Sequence, residues 1–344
     1  MNIKQQVVNA RNEGKTYSQI YKEFGVVKST AQYWVEKANH KPTGYVNENL
    51  QRQKPTRFSK SEANIQEFLE SLTPLDIKRD TRNISSQCND YAVVGSDFHF
   101  GTHDQRAIDI FLETIKELKP KTVILNGDTM DFLAISKYSK DLKHNWSLLD
   151  ERIAYQSFLA DLMEVSGGAE IFETFSNHSG NSIGGRWRRY LSDRIGELGS
   201  LPDITDILSY ENVFMGEFKD VVKHVDYVDL NGLIVTHGTT VKSAGGASCL
   251  AELNKWSSSI MHGHTHRIGS SAKRIPKIGD RDEQQLYSFE GGCLCSLDSA
   301  YGTAMNWNTG FNIVGLCDNT FSVEQVMING NKANISTLSK TLYA

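Results

Sequence analysis

Acidic and imidazole side chains recur in short motifs through the middle of this chain. They read Asp97-Phe-His99, Gly127-Asp128, Asn177-His178, Thr236-His237 and Gly263-His264-Thr265-His266. Carboxylate oxygen and neutral imidazole nitrogen are the donors that hard and borderline divalent cations take. Two such cations held about 3.5–4 Å apart need a shared carboxylate and several single-point ligands. That chemistry is hydrolysis of a phosphate ester. Most of the motifs sit at, or just after, an apolar run that reads as a buried strand, so the donors would gather along one sheet edge. Strand alternation puts Asp97 and His99 on one side. Gly127 lets the chain bend sharply ahead of Asp128.

The elements that must position these residues alternate as in an α/β protein. The pattern predicts strands over 91–94, 122–125 and 171–175, with helices over 104–118 and 151–165 between them. Later segments are richer in strand, over 233–237, 285–297, 311–316 and 321–328. A pair of mixed sheets with helices outside fits that order. The chain has 344 residues, enough for one large domain or two unequal ones. No apolar run is long enough to cross a bilayer, and the start lacks a signal-peptide core, so a cytoplasmic protein without membrane contact is expected. The 5 cysteines are scattered, and Cys293 and Cys295 read as core residues on one strand.

Charge is unevenly divided. Residues 1–60 hold 11 basic and 4 acidic side chains, a surplus of +7, and the remainder holds 26 and 37. Residues 1–38 read as three short helices, the second capped by Thr16 and the third starting near Ser29 or Thr30. Helix, glycine-containing turn and helix form the helix-turn-helix pattern. Lys28, Ser29, Thr30, Gln32 and Tyr33 on the third helix are the candidate DNA contacts. Modules of this size also serve as docking units, but the positive charge favours DNA. Residues 39–58 form a basic linker, and 59–89 a connecting helix and loop. The dimetal phosphoesterase domain is expected over 90–344.

The motif set resembles the calcineurin-like metallophosphoesterase family, whose motifs run D-x-H, G-D, G-N-H-[DE], H and G-H-x-H. The resemblance covers about residues 90–330, and its strength lies in all motifs occurring in order. It implies a four-layer αββα sandwich of two mixed sheets beside the small all-α N-terminal domain. It implies that Asp97, His99 and His266 hold one metal, that Asn177, His237 and His264 hold a second, and that Asp128 bridges them. Manganese is the expected ion, with iron(II) and zinc also compatible. His178 would touch the substrate phosphate and protonate the leaving oxygen. Asp131 matches an acid that orients that histidine, or else is an acid at a helix start.

Two positions depart from the family pattern. Ser176 stands where glycine is usual and Ser179 where an acid is usual. The arginine that follows the G-D motif in Ser/Thr protein phosphatases is absent, which argues against phosphoprotein substrates. Arg186, Arg188 and Arg189, beside Trp187 and Tyr190, are candidate substrate contacts. Pairing with Asp193 and Glu197 is the other reading. His262 is expected to face away from the site, and His103 either reaches it or is a loop histidine.

Three readings of function follow. The first is a DNA nuclease or phosphodiesterase using a dimetal-activated hydroxide, similar to the nuclease subunits of double-strand-break repair complexes and to phage enzymes. The second is a phosphodiesterase or phosphatase of small nucleotides, with the N-terminal module for docking. The third is a DNA-binding protein with an inactive metal domain. The complete ligand set counts against the third, and the basic leader favours the first. Self-association into a homo-oligomer is compatible with all three.

Overall fold

The central strands are apolar on both faces because both faces are covered. A computed structural model describes residues 3–24, 26, 31, 35, 81–84, 90–136, 146–179, 185–279, 282–297 and 305–344. The chain divides into two units, Met1–Asp76 and Ile77–Ala344.

In the first unit, α1 (Ile3–Asn12) and α2 (Tyr17–Phe24) pack through Val7, Ala10 and Ile20, with Ala31 closing the cluster. Thr16 caps α2: its hydroxyl accepts from the Gln19 N–H at 3.3 Å, and the Gln19 side chain accepts from the Thr16 N–H at 2.8 Å. Of the expected third helix only Ala31 and Val35 are described, both helical and buried; the contact candidates Lys28, Ser29, Thr30, Gln32 and Tyr33, the linker 39–58 and the helix expected near 59–72 lie outside the described residues.

The second unit holds two mixed sheets. Its strands and helices are β1 (Thr81–Ile84), β2 (Asp90–Gly95), α3 (Gln105–Leu118), β3 (Thr122–Leu125), α4 (Leu148–Val165), β4 (Glu170–Thr174), α5 (Arg186–Ile195), α6 (Pro202–Ile207), β5 (Val222–Val225), β6 (Tyr227–Leu230), β7 (Leu233–Thr236), α7 (Ala247–Trp256), β8 (Ser259–His262), β9 (Ile268–Ile275), β10 (Gln284–Gly291), β11 (Gly310–Cys317), β12 (Thr320–Asn329), β13 (Lys332–Ile335) and β14 (Lys340–Tyr343). One sheet runs β14-β13-β12-β11-β2-β3-β4-β5, with β2 to β5 parallel. The other runs β1-β6-β7-β8-β10-β9, with β7, β8 and β10 parallel. β1, within the stretch read as connector, pairs parallel with β6 and belongs to this sheet.

Alternation along the strands builds two cores. Ala92, Val94, Ile124 and Phe172 meet Val228, Leu233, Val235 and Met261 between the sheets. Val93, Val123, Leu125 and Ile171 point the other way, onto Ile108, Phe111 and Ile115 of α3 and Phe158 and Leu159 of α4. Both helices are firmly started. The Asp104 side chain accepts from the Arg106 N–H of α3 at 3.0 Å, and Ser147 and Asp150 form a capping box on α4. α4 therefore begins three residues before the predicted start at 151. The single strand predicted over 285–297 stops at Gly291, because Gly292 turns into left-handed backbone at φ 74°. Cys293 and Cys295 then enter isolated bridges with Thr309 and His103. Cys249, Cys293 and Cys295 are free and buried, whereas Cys317 is in a disulfide.

Candidate metal centre

Five strands end at one place. Asp97 and His99 follow β2, Asp128 follows β3, Asn177 and His178 follow β4, His237 follows β7, and His264 and His266 follow β8. Ligands at the carboxyl ends of parallel strands are the usual outcome of open α/β sheets. Here the ends come from both sheets. The loops after β2 and β3 stay paired beyond the strands. The Asp97 N–H donates to the Gly127 carbonyl at 3.1 Å, His99 to Asp128 at 2.9 Å, and Phe100 to Thr129 at 2.7 Å.

Turning the donors inward takes unusual backbone. Asp97, His99, Asp128, His264 and His266 all have φ between 48° and 67°, a region that L-residues seldom occupy. Two glycines make the approach close enough. A Cβ on Gly127, whose φ is 77°, would lie 2.6 Å from His237 Nδ1. A Cβ on Gly263 would collide with Ser96 and with the Asp97 carboxylate.

The side chains converge in two groups that share Asp128. Ligand atoms of Asp97, His99 and Asp128 lie within 4.8 Å of one another, as do those of Asp128, His237 and His264. His266 Nε2 is 3.1 Å from both Asp97 Oδ1 and His99 Nε2. His237 Nε2 is 3.2 Å from Asp128 Oδ2 and 3.1 Å from Asn177 Oδ1. Two tautomers follow from the partners. The His237 Nδ1–H donates to the Asn126 carbonyl at 2.8 Å, and the His99 Nδ1–H to Asp131 Oδ1 at 3.3 Å. Each ring is thereby fixed with Nε2 facing the cluster, the orientation that metal-ligating histidines take.

Electrostatics match that geometry. Burial opposes ionisation of Asp97, but the charges of His266 and His237 outweigh it and hold the carboxyl well below its ordinary value. Burial likewise opposes ionisation of Asp128, and His178, His237 and His99 overcome it. Burial disfavours a charge on His237, yet Asp128 and then Asp97 raise it to about 9. A proton on His237 Nε2 thus sits between two oxygen acceptors, where a cation would serve the same oxygens. The donor set of carboxylates, an amide oxygen and imidazoles fits divalent metal ions.

The supporting shell contains residues that the motifs did not reveal. Asn126 donates from Nδ2 to the Thr236 carbonyl at 3.1 Å and accepts from the Thr174 hydroxyl at 2.9 Å, joining β7 to β4. Glu151 of α4 accepts from the N–H groups of Phe132 and Leu133 at 2.6 and 2.9 Å, holding the turn after Asp131. Burial, with the charge of Asp131 adding to it, pushes Glu151 up to about 8. Glu173, at the end of β4, is bound by the hydroxyls of Thr129, Tyr155 and Tyr210. Nothing in the sequence around Glu151 marks it, since its role depends on a loop eighteen residues away in the chain.

The remaining predicted residues fall in different places. Asp131 Oδ1 is hydrogen-bonded to His99 Nδ1 at 3.3 Å and lies 3.5 Å from His178 Nδ1, which makes no hydrogen bond among the described residues. Arg186 is buried, and its guanidinium donates to the Asp131 carbonyl at 2.6 Å and to Oδ1 at 3.1 Å. Arg188 is exposed on α5 and Arg189 is half-buried. The two unusual serines bond each other: the Ser176 N–H donates to Ser179 Oγ, and the Ser179 N–H to Ser176 Oγ, each at 3.2 Å. They shape the turn that presents Asn177 and His178, a job that needs no acid. His103 packs tilted against Phe100 and edge-on to Trp146, with ring centroids 5.0 and 6.1 Å away. Cys295 Sγ lies 3.7 Å from His266 Nδ1, on the far side of that ring.

No family model matches the chain. It is 27% identical over 256 residues to the gene 54 protein of Mycobacterium phage D29, covering 71% of this chain and 95% of the phage protein. It is 26% identical over 257 residues to the gene 54 protein of Mycobacterium phage L5, with the same coverage. Among solved structures it is similar to a Vps29 variant from Entamoeba histolytica, with TM-score 0.33 and 13% identity over 70% of this chain and 99% of that one. Vacuolar protein sorting 29 from Cryptosporidium parvum gives TM-score 0.34 and 15% identity over 75% and 97%.

Two outcomes are expected. Gly127→Ala displaces His237 and lowers manganese content measured by mass spectrometry, while the far-ultraviolet circular dichroism stays near wild type. Unchanged metal content would show that Gly127 does not set the site. Manganese affinity rises as pH is raised toward about 9, because the metal must displace the proton that His237 holds below that value. Calorimetry in buffers of different ionisation enthalpy should report proton release on binding, and a pH-independent affinity would refute it.

Proposed function

We propose that this protein is a metal-dependent phosphodiesterase of the calcineurin-like metallophosphoesterase type, acting on DNA. The observation that carries the reading is the pair of buried carboxylate–imidazole groups sharing Asp128 at the ends of strands from both sheets. In this reading Asp97, His99 and His266 hold one ion, and Asn177, His237 and His264 hold the other. Asp128 lies between the two. Bound there, divalent ions would supply an activated water and neutralise phosphoryl oxygens.

The chain's own residues do the rest. The Asp128 carboxylate is oriented by the His178 N–H, which donates to Oδ1 at 3.1 Å. The Asp97 carboxylate accepts the His264 N–H at 3.1 and 2.9 Å. His178 is the residue that meets the substrate. Burial pushes it down to about 3, so it is neutral near pH 7 before substrate arrives. An incoming phosphate brings negative charge beside it, which favours the protonated ring that a leaving alcohol needs. Asp131, fixed by Arg186, lies 3.5 Å from His178 Nδ1. The +7 leader supports DNA as the polyanion, with Lys28, Ser29, Thr30, Gln32 and Tyr33 as its contacts and Arg188 and Arg189 as further contacts to the substrate.

With manganese, the purified protein should cut single- or double-stranded DNA and also turn over bis-p-nitrophenyl phosphate. Turnover of the small diester without any DNA cleavage would select a small-nucleotide substrate instead. Deleting residues 1–58 should weaken DNA binding and flatten its salt dependence; equal affinity would remove the leader from the account. His178→Ala should lower turnover by about 10²–10⁴-fold with metal content retained. Loss of the metals in that variant would overturn its assigned role.

A further inference from the structure

His262 ends β8 next to the metal centre but turns into a second buried cluster. Its companions are Cys249 of α7 and Glu290 of β10, and their three ligand atoms lie within 4.8 Å of one another. All three residues are 0% exposed. The imidazole tautomer is set by its partner, since Nδ1–H donates to the Gly263 carbonyl at 3.1 Å. The Nε2 lone pair therefore faces the cluster, and among the described residues it has no hydrogen-bond partner. Glu290 Oε1 has none either, nor does Ser288 Oγ two residues earlier on the same face of β10. Buried acceptors are rarely left without a donor, and an unmet group signals a missing partner.

An ordinary ion pair does not account for these atoms. Arg267 Nε stands 3.9 Å from Glu290 Oε1, beyond hydrogen-bond reach. Its terminal nitrogens donate to the carbonyls of Lys242 and Ser243, at 2.6 and 3.4 Å. Gly246 N–H approaches the other oxygen, Oε2, at 3.4 Å. The space is kept for the carboxylate, because a Cβ on Gly269 would lie 2.7 Å from Oε2. The Cys249 thiol lies 3.7 Å from the Gly269 carbonyl and close to Ser288 and Glu290.

We propose that Cys249, His262 and Glu290 bind one further cation of the zinc class, separate from the ions around Asp128. Sulfur, imidazole nitrogen and carboxylate oxygen together suit a borderline-soft ion with tetrahedral preference and disfavour magnesium or calcium. On binding, the Cys249 thiol loses its proton to solvent as the sulfur–metal bond forms. His262 and Glu290 bind through lone pairs without a change of protonation. The ion ties α7, β8 and β10 together directly behind Gly263-His264, so its role is to brace the loop that carries His264 and His266.

Cobalt(II) is the probe. The full-length chain, stripped with chelator and reloaded with cobalt, should show a thiolate-to-cobalt charge-transfer absorption in the near ultraviolet. The band should vanish in Cys249→Ser. It should persist in Cys295→Ser, a necessary control because Cys295 lies with His99 and His266 in another group of ligand atoms. It should also persist in Asp128→Asn, which separates this site from the proposed catalytic ions. Glu290→Gln should weaken cobalt binding by more than the about 10–100-fold expected of an outer-shell change, with unchanged circular dichroism. No band in the wild type, or a band that survives Cys249→Ser, overturns the proposal.

Discussion

Asp97, Asp128 and Asp131 are shielded almost completely from water, and the rest of the site is arranged around their charge. A carboxylate in such a place ionises only if cations or N–H donors face it. Arg186 and His99 answer Asp131, His266 and the His264 N–H answer Asp97, and His237 and the His178 N–H answer Asp128. None of these partners is near its acid in sequence. Apart from Arg186, which starts α5, they come from loops that follow strands of both sheets, so the site needs both sheets in place.

The inter-sheet core sets the distance across which the two halves of the site meet. Asn126 then locks their register, since one residue bonds to Thr236 at the end of β7, Thr174 at the end of β4, and the His237 ring. A shift of either sheet would break several of these bonds together. The polar link lies at the mouth of an apolar interface, where it is buried and its bonds are correspondingly strong.

The motifs were legible because each acid or histidine follows a short apolar strand, and that pattern needs only local sequence. The bodies of α3 and α4 were legible from their alternation with the strands, but the Ser147–Asp150 capping box starts α4 earlier than that pattern indicated. What was hidden is what only three-dimensional contact defines. Glu151 looks like an ordinary helix residue until the Asp131 turn is folded against it, and Arg186, read from the sequence as a candidate substrate contact, is buried against Asp131. α7, β9 and the β13–β14 hairpin carry weak period, and Gly292 ended a strand that the apolar run alone would continue. His262 was expected to face away from the motif histidines, but the partners it turns toward, Cys249 and Glu290, are thirteen residues before and twenty-eight after it.

The left-handed backbone at Asp97, His99, Asp128, His264 and His266 ties these features into one account. Each such residue costs on the order of 1–3 kcal/mol and persists only where its surroundings dictate it. Here the dictating contacts are the backbone bonds that run past β2 and β3, the bonds of Glu151 to Phe132 and Leu133, and the close packing against Gly127 and Gly263. The strain is therefore held by groups that are not themselves donors to the proposed ions. Because those groups already fix the donors, a cation entering the site has to displace a proton from His237 rather than organise loops. A centre built this way has its donors set by the fold, the arrangement that a precise donor cluster requires.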